Sequence, residues 1–144
     1  MRSRTHTLAA LLMALPLTIA AQLNGVYTVN PAGGGNYTTI SAAVNALNTV
    51  GVSGPVTIRI VPGTYPESFT LNQINGTSAT RWVWFESSTL DSTAVTIGPG
   101  ADSTTIKLLD CDYVGFRYLR VKAPDRGFEG NSYPTNIEIH HCVV

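Results

Sequence analysis

Val114-Gly115-Phe116-Arg117-Tyr118-Leu119-Arg120-Val121 and Ile137-Glu138-Ile139-His140-His141-Cys142-Val143-Val144 decide how this chain is read. Laid over each other at an offset of 23 residues, Val114, Phe116, Leu119 and Val121 fall on Ile137, Ile139, Cys142 and Val144. Apolar meets apolar at each position. The same offset carries Val83 and Phe85 onto Ile106 and Leu108, and Val95 and Ile97 reach Leu119 and Val121 with one residue more. Short alternating strands that recur every 20 to 50 residues or so mark a solenoid, in which a repeat buries its apolar face only by stacking on its neighbours. The sequence therefore predicts an all-β parallel β-helix running from Val56 to Val144.

Upstream of Val56 the pattern differs. Gly25 to Val29 is a short alternating stretch, followed by the turn-forming run Pro31-Ala32-Gly33-Gly34-Gly35-Asn36. Ile40, Ala43, Val44 and Leu47 then follow the i, i+3, i+4, i+7 spacing of a helix, with Thr38, Thr39 or Ser41 available as N-cap and Gly51 and Gly54 to stop it. A helix with one apolar stripe, placed directly before strands, is expected to cap the open end of the stack, where a core layer and strand edges would otherwise be exposed.

From Pro55 onward the first coil holds Val56, Ile58 and Ile60, a turn at Pro62-Gly63-Thr64, then Phe69 and Leu71. A polar loop, Asn72 to Thr80, leads to Trp82-Val83-Trp84-Phe85 and on to Val95-Thr96-Ile97, closed by Gly98-Pro99-Gly100. The third coil uses Ile106 and Leu108, Val114 and Phe116, and Leu119 and Val121, with bends at Asp110-Cys111-Asp112 and Arg117-Tyr118. Three short parallel strands per turn give a triangular section, and about four coils are expected in all. In the fourth coil Glu129-Gly130-Asn131 occupies the place of Ile106 to Leu108 with no apolar residue, so Ala123 to Asn136 is expected to be an excursion from which Phe128 or Tyr133 tucks back. The chain stops in mid-strand at Val144 without a cap, and the C-terminal part of the fold is expected to be missing.

The opening residues are set aside. Arg2 and Arg4 precede an uncharged apolar run, Leu8 to Ala21, which reads as a secretory signal peptide cleaved after Ala21. Three segments follow: the signal peptide at 1–21, a strand, Gly-rich loop and cap helix at 22–54, and the coils at 55–144. The full chain carries nine basic and nine acidic side chains, so loss of Arg2 and Arg4 leaves a formal charge of −2. That balance gives no electrostatic reason to expect nucleic acid or an anionic membrane as partner, and no membrane association after cleavage is expected. A secreted or cell-surface location is expected, no cofactor is implied, and no oligomeric state follows from the residues. Two N-x-T sequons, at Asn36 and Asn75, would matter only in a eukaryotic secretory pathway. Export would permit a disulfide between Cys111 and Cys142, but they lie 31 residues apart, not 23, and Cys142 takes the core position of Leu119; a buried free thiol is preferred.

The stretch from Gly35 to Phe69 carries a family resemblance. Asn36-Tyr37-Thr38-Thr39-Ile40, Ala42-Ala43-Val44, Val56-Thr57-Ile58-Arg59-Ile60 and Pro62-Gly63-Thr64-Tyr65-Pro66-Glu67 together resemble the opening of right-handed parallel β-helix proteins of the pectin lyase-like superfamily. Gly63, Tyr65 and Glu67 are similar to the Gly-x-Tyr-x-Glu element near the start of pectin methylesterases. The resemblance implies a right-handed solenoid in an exported protein. The methylesterase active site, with its paired aspartates, glutamines and arginine, has no counterpart here.

Candidate functional residues follow from the strand period. With Val83 and Phe85 inward, Trp82 and Trp84 face outward, and Arg59 and Lys107 are expected on the same face in the adjoining coils. Arg59, Trp82, Trp84 and Lys107 are thus the candidate substrate-binding residues, because aromatic faces stack on sugar rings and flanking cations pair with uronate carboxylates. The alternative is that the cations only stack on indole. Arg117 and Tyr118 are expected beneath His140 and His141, where a solvated bend is preferred over acid–base chemistry since no carboxylate is placed to orient either histidine. Asp110 and Asp112 could hold calcium but lack a third acidic ligand, and a backbone-bonded turn is preferred. Glu67 and Glu86 read as isolated. No catalytic constellation is complete, so the chain reads as a noncatalytic extracellular module with an adhesion or polysaccharide-binding role. The alternatives are the front part of a lyase or esterase acting on uronate-containing polysaccharide, and a nonfunctional fragment.

Overall fold

The computed structural model describes residues 21–131 and 133–144. The expected signal peptide, 1–21, lies outside these but for Ala21. Among the described residues the elements run β1 (Leu23–Val29), α1 (Ile40–Val50), β2 (Val52–Ile60), β3 (Gly63–Tyr65), β4 (Phe69–Leu71), β5 (Val83–Ser87), β6 (Val95–Ile97), β7 (Thr104–Leu109), β8 (Asp112–Arg117), β9 (Arg120–Val121), β10 (Arg126–Asn131) and β11 (Thr135–His140). They form one five-stranded sheet, β1-β2-β5-β8-β11, and two three-stranded sheets, β10-β7-β4 and β3-β6-β9. Every named ladder is parallel.

This corrects the expected right-handed parallel β-helix of about four coils. Three separate parallel sheets of unequal size and one helix are present, and no closed solenoid is found among the described residues. The reason lies in register. Within the large sheet, facing residues are separated by 27 positions from β2 to β5, 31 from β5 to β8 and 23 from β8 to β11. A constant 23-residue period therefore holds only for the last step. Val83 and Phe85 pair with Val114 and Phe116, not with Ile106 and Leu108, which belong to another sheet and face Phe69 and Leu71. The offset of 24 between Ile97 and Val121 does hold.

The core forms because inward residues stack in columns. Val56, Val83 and Val114 make one, extended by half-buried Ile137, and Ile58, Phe85 and Phe116 another, whose continuation on the edge strand, Ile139, is 45% exposed. The second sheet contributes Phe69, Ile106 and Phe128, and the third Tyr65, Ile97 and Val121. Phenyl rings bridge the sheets: Phe85 stacks on Phe116 at 5.2 Å between centroids, Phe69 lies 6.2 Å from Phe85, and Phe128 meets Phe116 edge-on at 5.2 Å. Such pairs contribute ~0.5–1.5 kcal/mol each beyond the area they bury. Phe128 thus does tuck inward, but as part of β10; Ala123 to Asn136 is no excursion, and Tyr133 is 95% exposed. The strand was missed because Phe128 sits opposite Ile106 one residue out of the 23-residue register.

The helix forms where the apolar spacing places it, burying Ile40, Ala43, Val44 and Leu47. Thr39 is the N-cap, its hydroxyl accepting from Ala42 N at 3.1 Å, and Gly51 ends the helix at φ +69° with its N–H on Leu47 O. Glu67, far from isolated, accepts from Ile40 N at 3.1 Å and Ser41 N at 2.8 Å, putting a carboxylate against the positive end of the helix. The helix contacts β1, β2 and β4, and β1 pairs with β2, so segments 22–54 and 55–144 share one core.

Replacing Phe85 by alanine removes one of the two inner rings of this row of four, and the free energy of unfolding in urea is expected to fall by about 3–5 kcal/mol. Thr96→Ala, on a half-buried position of β6, is expected to cost less than about 1 kcal/mol. Equal effects would show that the columns do not carry the stability.

Candidate functional site

The outward face of the five-stranded sheet gathers the aromatic and charged residues. Trp84 and Glu86 share a face of β5 because alternate residues of a strand do, Trp82 stands immediately before that strand, and the ladder sets Gly115 beside Trp84 and Arg117 beside Glu86. On the other side Thr57 pairs with Trp84 and Arg59 with Glu86. Glu138 and His140 continue these rows opposite Gly115 and Arg117.

Trp82 and Trp84 stack on each other, with centroids 5.5 Å apart and planes 18° from parallel, and Tyr113 meets Trp82 edge-on at 5.6 Å. The Arg117 guanidinium carbon lies 4.8 Å from the Trp84 ring centroid, a cation–π contact of ~0.5–2 kcal/mol. His140 sits 6.1 Å from the same ring. Both indoles are half-buried, which leaves part of each exposed.

Glu86 anchors the charged row. Its Oε1 accepts from Arg59 Nε at 2.9 Å, and its Oε2 accepts from Arg117 Nε and Nη2, both at 2.7 Å. The Glu86 side chain is 2% exposed whereas those of Arg59 and Arg117 are 52% and 38% exposed. A buried carboxylate is tolerated when paired and bonded, and two arginines that each engage it through part of their donor fork keep further N–H groups for solvent or a ligand.

The expected column of Arg59, Trp84 and Lys107 is therefore corrected. Arg59 and both tryptophans do share a face, but Arg59 stands in the row of Glu86, and Lys107 lies on β7 in a different sheet, between Thr70 and Glu129. There the Glu129 carboxyl is held below its usual range, chiefly by the Thr104 hydroxyl bonded at 2.9 Å. The cation next to Trp84 is Arg117. Sequence reading placed Arg117 at a bend and Glu86 alone, because the 31-residue step that joins them differs from the offset seen elsewhere. Tyr113 and Gly115 were missed for the same reason.

The second expected group is found as a stack: Tyr118 and His141 rings lie 4.9 Å apart and 12° from parallel, at bends where both residues take positive φ, 56° and 51°. His140 does have a carboxylate partner, since Glu138 two residues earlier shares its face and places Oε2 at 2.9 Å from Nε2. Asp112 accepts from Thr135 N at 2.9 Å and from the Thr135 hydroxyl, so it ties β8 to β11. Among the described residues no group of three or more His, Cys, Asp or Glu is placed to hold a metal ion, and no helix is long and apolar enough to cross a membrane. Comparison with protein-family models, curated proteins and solved structures found no match, so the resemblance to the pectin lyase-like superfamily rests on the quoted residues of the opening segment.

Cys111 and Cys142 are free thiols. Burial pushes the Cys111 thiol up to about 11, and burial also raises that of half-buried Cys142, whose Sγ lies 3.4 Å from His140 O as donor. Thiolate is the reactive form, and a raised pKa leaves little of it near neutral pH. In the folded protein at pH 8, iodoacetamide is expected to leave Cys111 unmodified while urea-unfolded chain is alkylated at both cysteines, as read by mass spectrometry. Rapid alkylation of Cys111 in the fold would contradict its placement in the core.

Proposed function

We propose that the protein is an exported, noncatalytic module that binds polysaccharide on the outward face of the five-stranded sheet. The observation that carries this reading is the contiguous group of Trp82, Trp84 and Tyr113 bordered by Arg117 and Arg59. Indole and phenol rings offer apolar, polarisable surface to the C–H faces of sugars, and the unused guanidinium N–H groups offer donors to hydroxyl or carboxylate oxygens. An open sheet face presents these groups side by side along its strands, which suits an extended chain ligand better than a small enclosed one. Export is supported by the reading of residues 1–21.

Binding requires only the surface described above. A lyase or esterase would need a nucleophile or base joined to an anion-stabilising group, and the described residues of this face assemble no such set; the His140–Glu138 pair borders the arginine row without an aligned nucleophile.

The test is affinity electrophoresis through gels containing polygalacturonate or a neutral glucan. Trp84→Ala is expected to weaken retention about tenfold, equivalent to ~1.4 kcal/mol, with far-ultraviolet circular dichroism unchanged. Retention equal to that of the unsubstituted protein, or no retention of either on any gel, overturns the reading.

A further inference from the structure

The Trp84 indole occupies a space that a side chain on the neighbouring strand would fill. A Cβ built on Gly115 would stand 2.2 Å from Cζ3, 2.4 Å from Cε3 and 2.6 Å from Cη2 of Trp84. Three consecutive atoms of the six-membered ring at such distances place the ring over the Gly115 backbone, so the indole of β5 lies across onto β8. Gly115 has no positive φ, and the backbone there would accept alanine. What excludes a side chain is the ring itself.

A second constraint acts from the next row. Glu86 holds Arg117 by Nε and Nη2, and the guanidinium so fixed stands against the Trp84 ring. Arg59, on the other carboxylate oxygen, keeps Glu86 from turning towards β8. The ring is bounded below by Gly115, on one side by Trp82 and on the other by Arg117.

We propose that Gly115 and Glu86 are the positioning residues of the aromatic platform: Gly115 seats the Trp84 indole and Glu86 clamps Arg117 against it, so the surface shown to a glycan is set before ligand arrives. The proposal rests on the polysaccharide-binding reading for its purpose but not for its geometry. Its consequence is preorganisation, since a ring already held in its binding orientation loses little rotamer freedom when a ligand docks. Neither residue touches the ligand.

Two stacked indoles couple their electronic transitions, and the resulting exciton couplet in the circular dichroism spectrum reports their mutual orientation without any ligand. Gly115→Ala is expected to abolish or invert that couplet and to reduce gel retention to the level of Trp84→Ala, while the thermal transition remains cooperative. Glu86→Gln, which leaves the glycine seat intact but removes the carboxylate charge, provides the second variant if Gly115→Ala fails to fold; it is expected to diminish the couplet and weaken retention in part. A couplet and retention unchanged in both variants overturn the proposal. If the couplet changes as expected but the unsubstituted protein is retained on no gel, the positioning stands and the glycan reading fails, so the two are separately decided.

Discussion

Parallel pairing in strict register is the constraint on which the rest depends. In a parallel ladder a residue faces its partner with the same side of the pleat, so a column such as Ile58, Phe85, Phe116 and Ile139 stays apolar through every strand it crosses. A slip of one residue in β5 would put Glu86 in the place of Phe85 in that column, and a slip in β2 or β8 would likewise bring in Arg59 or Arg117, so each strand's register is fixed by the charge it would otherwise bury. The same registration that buries the phenyl rings therefore assembles the outer surface. Core and candidate site are two faces of one set of hydrogen bonds.

Two glutamates show how that registration gives work to residues that look solitary in the chain. Glu67 sits in the middle of the β3–β4 connection within reach of the first turn of α1, and its carboxylate satisfies two backbone donors that the helix itself leaves free. Glu86 is carried between two arginines on adjacent strands, and without them a carboxylate at 1% exposure would be costly to bury. The Gly63, Tyr65 and Glu67 element that carries the family resemblance is structural throughout. Gly63 starts β3, Tyr65 is buried with its hydroxyl donating to Val61 O at 2.8 Å, and Glu67 caps the helix. A motif of this kind speaks to how the chain is held and is silent about what the surface binds.

Local features were legible in the sequence because local physics decides them. The helix at Ile40, a cap among Thr38, Thr39 and Ser41 and a stop at Gly51 or Gly54 follow from side-chain spacing and turn chemistry within a dozen residues, and the fold uses Thr39 and Gly51. The inward and outward alternation of Val56 to Ile60 and of Val83 to Phe85 is likewise a property of the strand itself. The pairing of distant strands was not legible to the same degree. Val83 could be matched to Ile106 or to Val114 with equal chemical sense, since each offers a β-branched residue followed two positions later by a large apolar one. Only the length of the intervening connections decides, and nothing local encodes it. The closed solenoid was an extrapolation of one spacing, that of β8 to β11, over strands that do not share it.

The same argument explains which site residues were found. Trp82 and Trp84 identify themselves by local alternation with Val83 and Phe85. Arg117, Tyr113 and Gly115 join them only through a cross-strand register, and Lys107 was included through a wrong one. Gly115 is the clearest case, because in sequence it is a glycine inside a strand, which ordinarily weakens the strand through lost packing and added chain entropy. In the fold its missing side chain is replaced by the indole of the neighbouring strand, so the packing forgone at one position is regained from another. An absence in one strand and an aromatic ring in the next form a complementary pair, and neither half has meaning until the register sets them side by side.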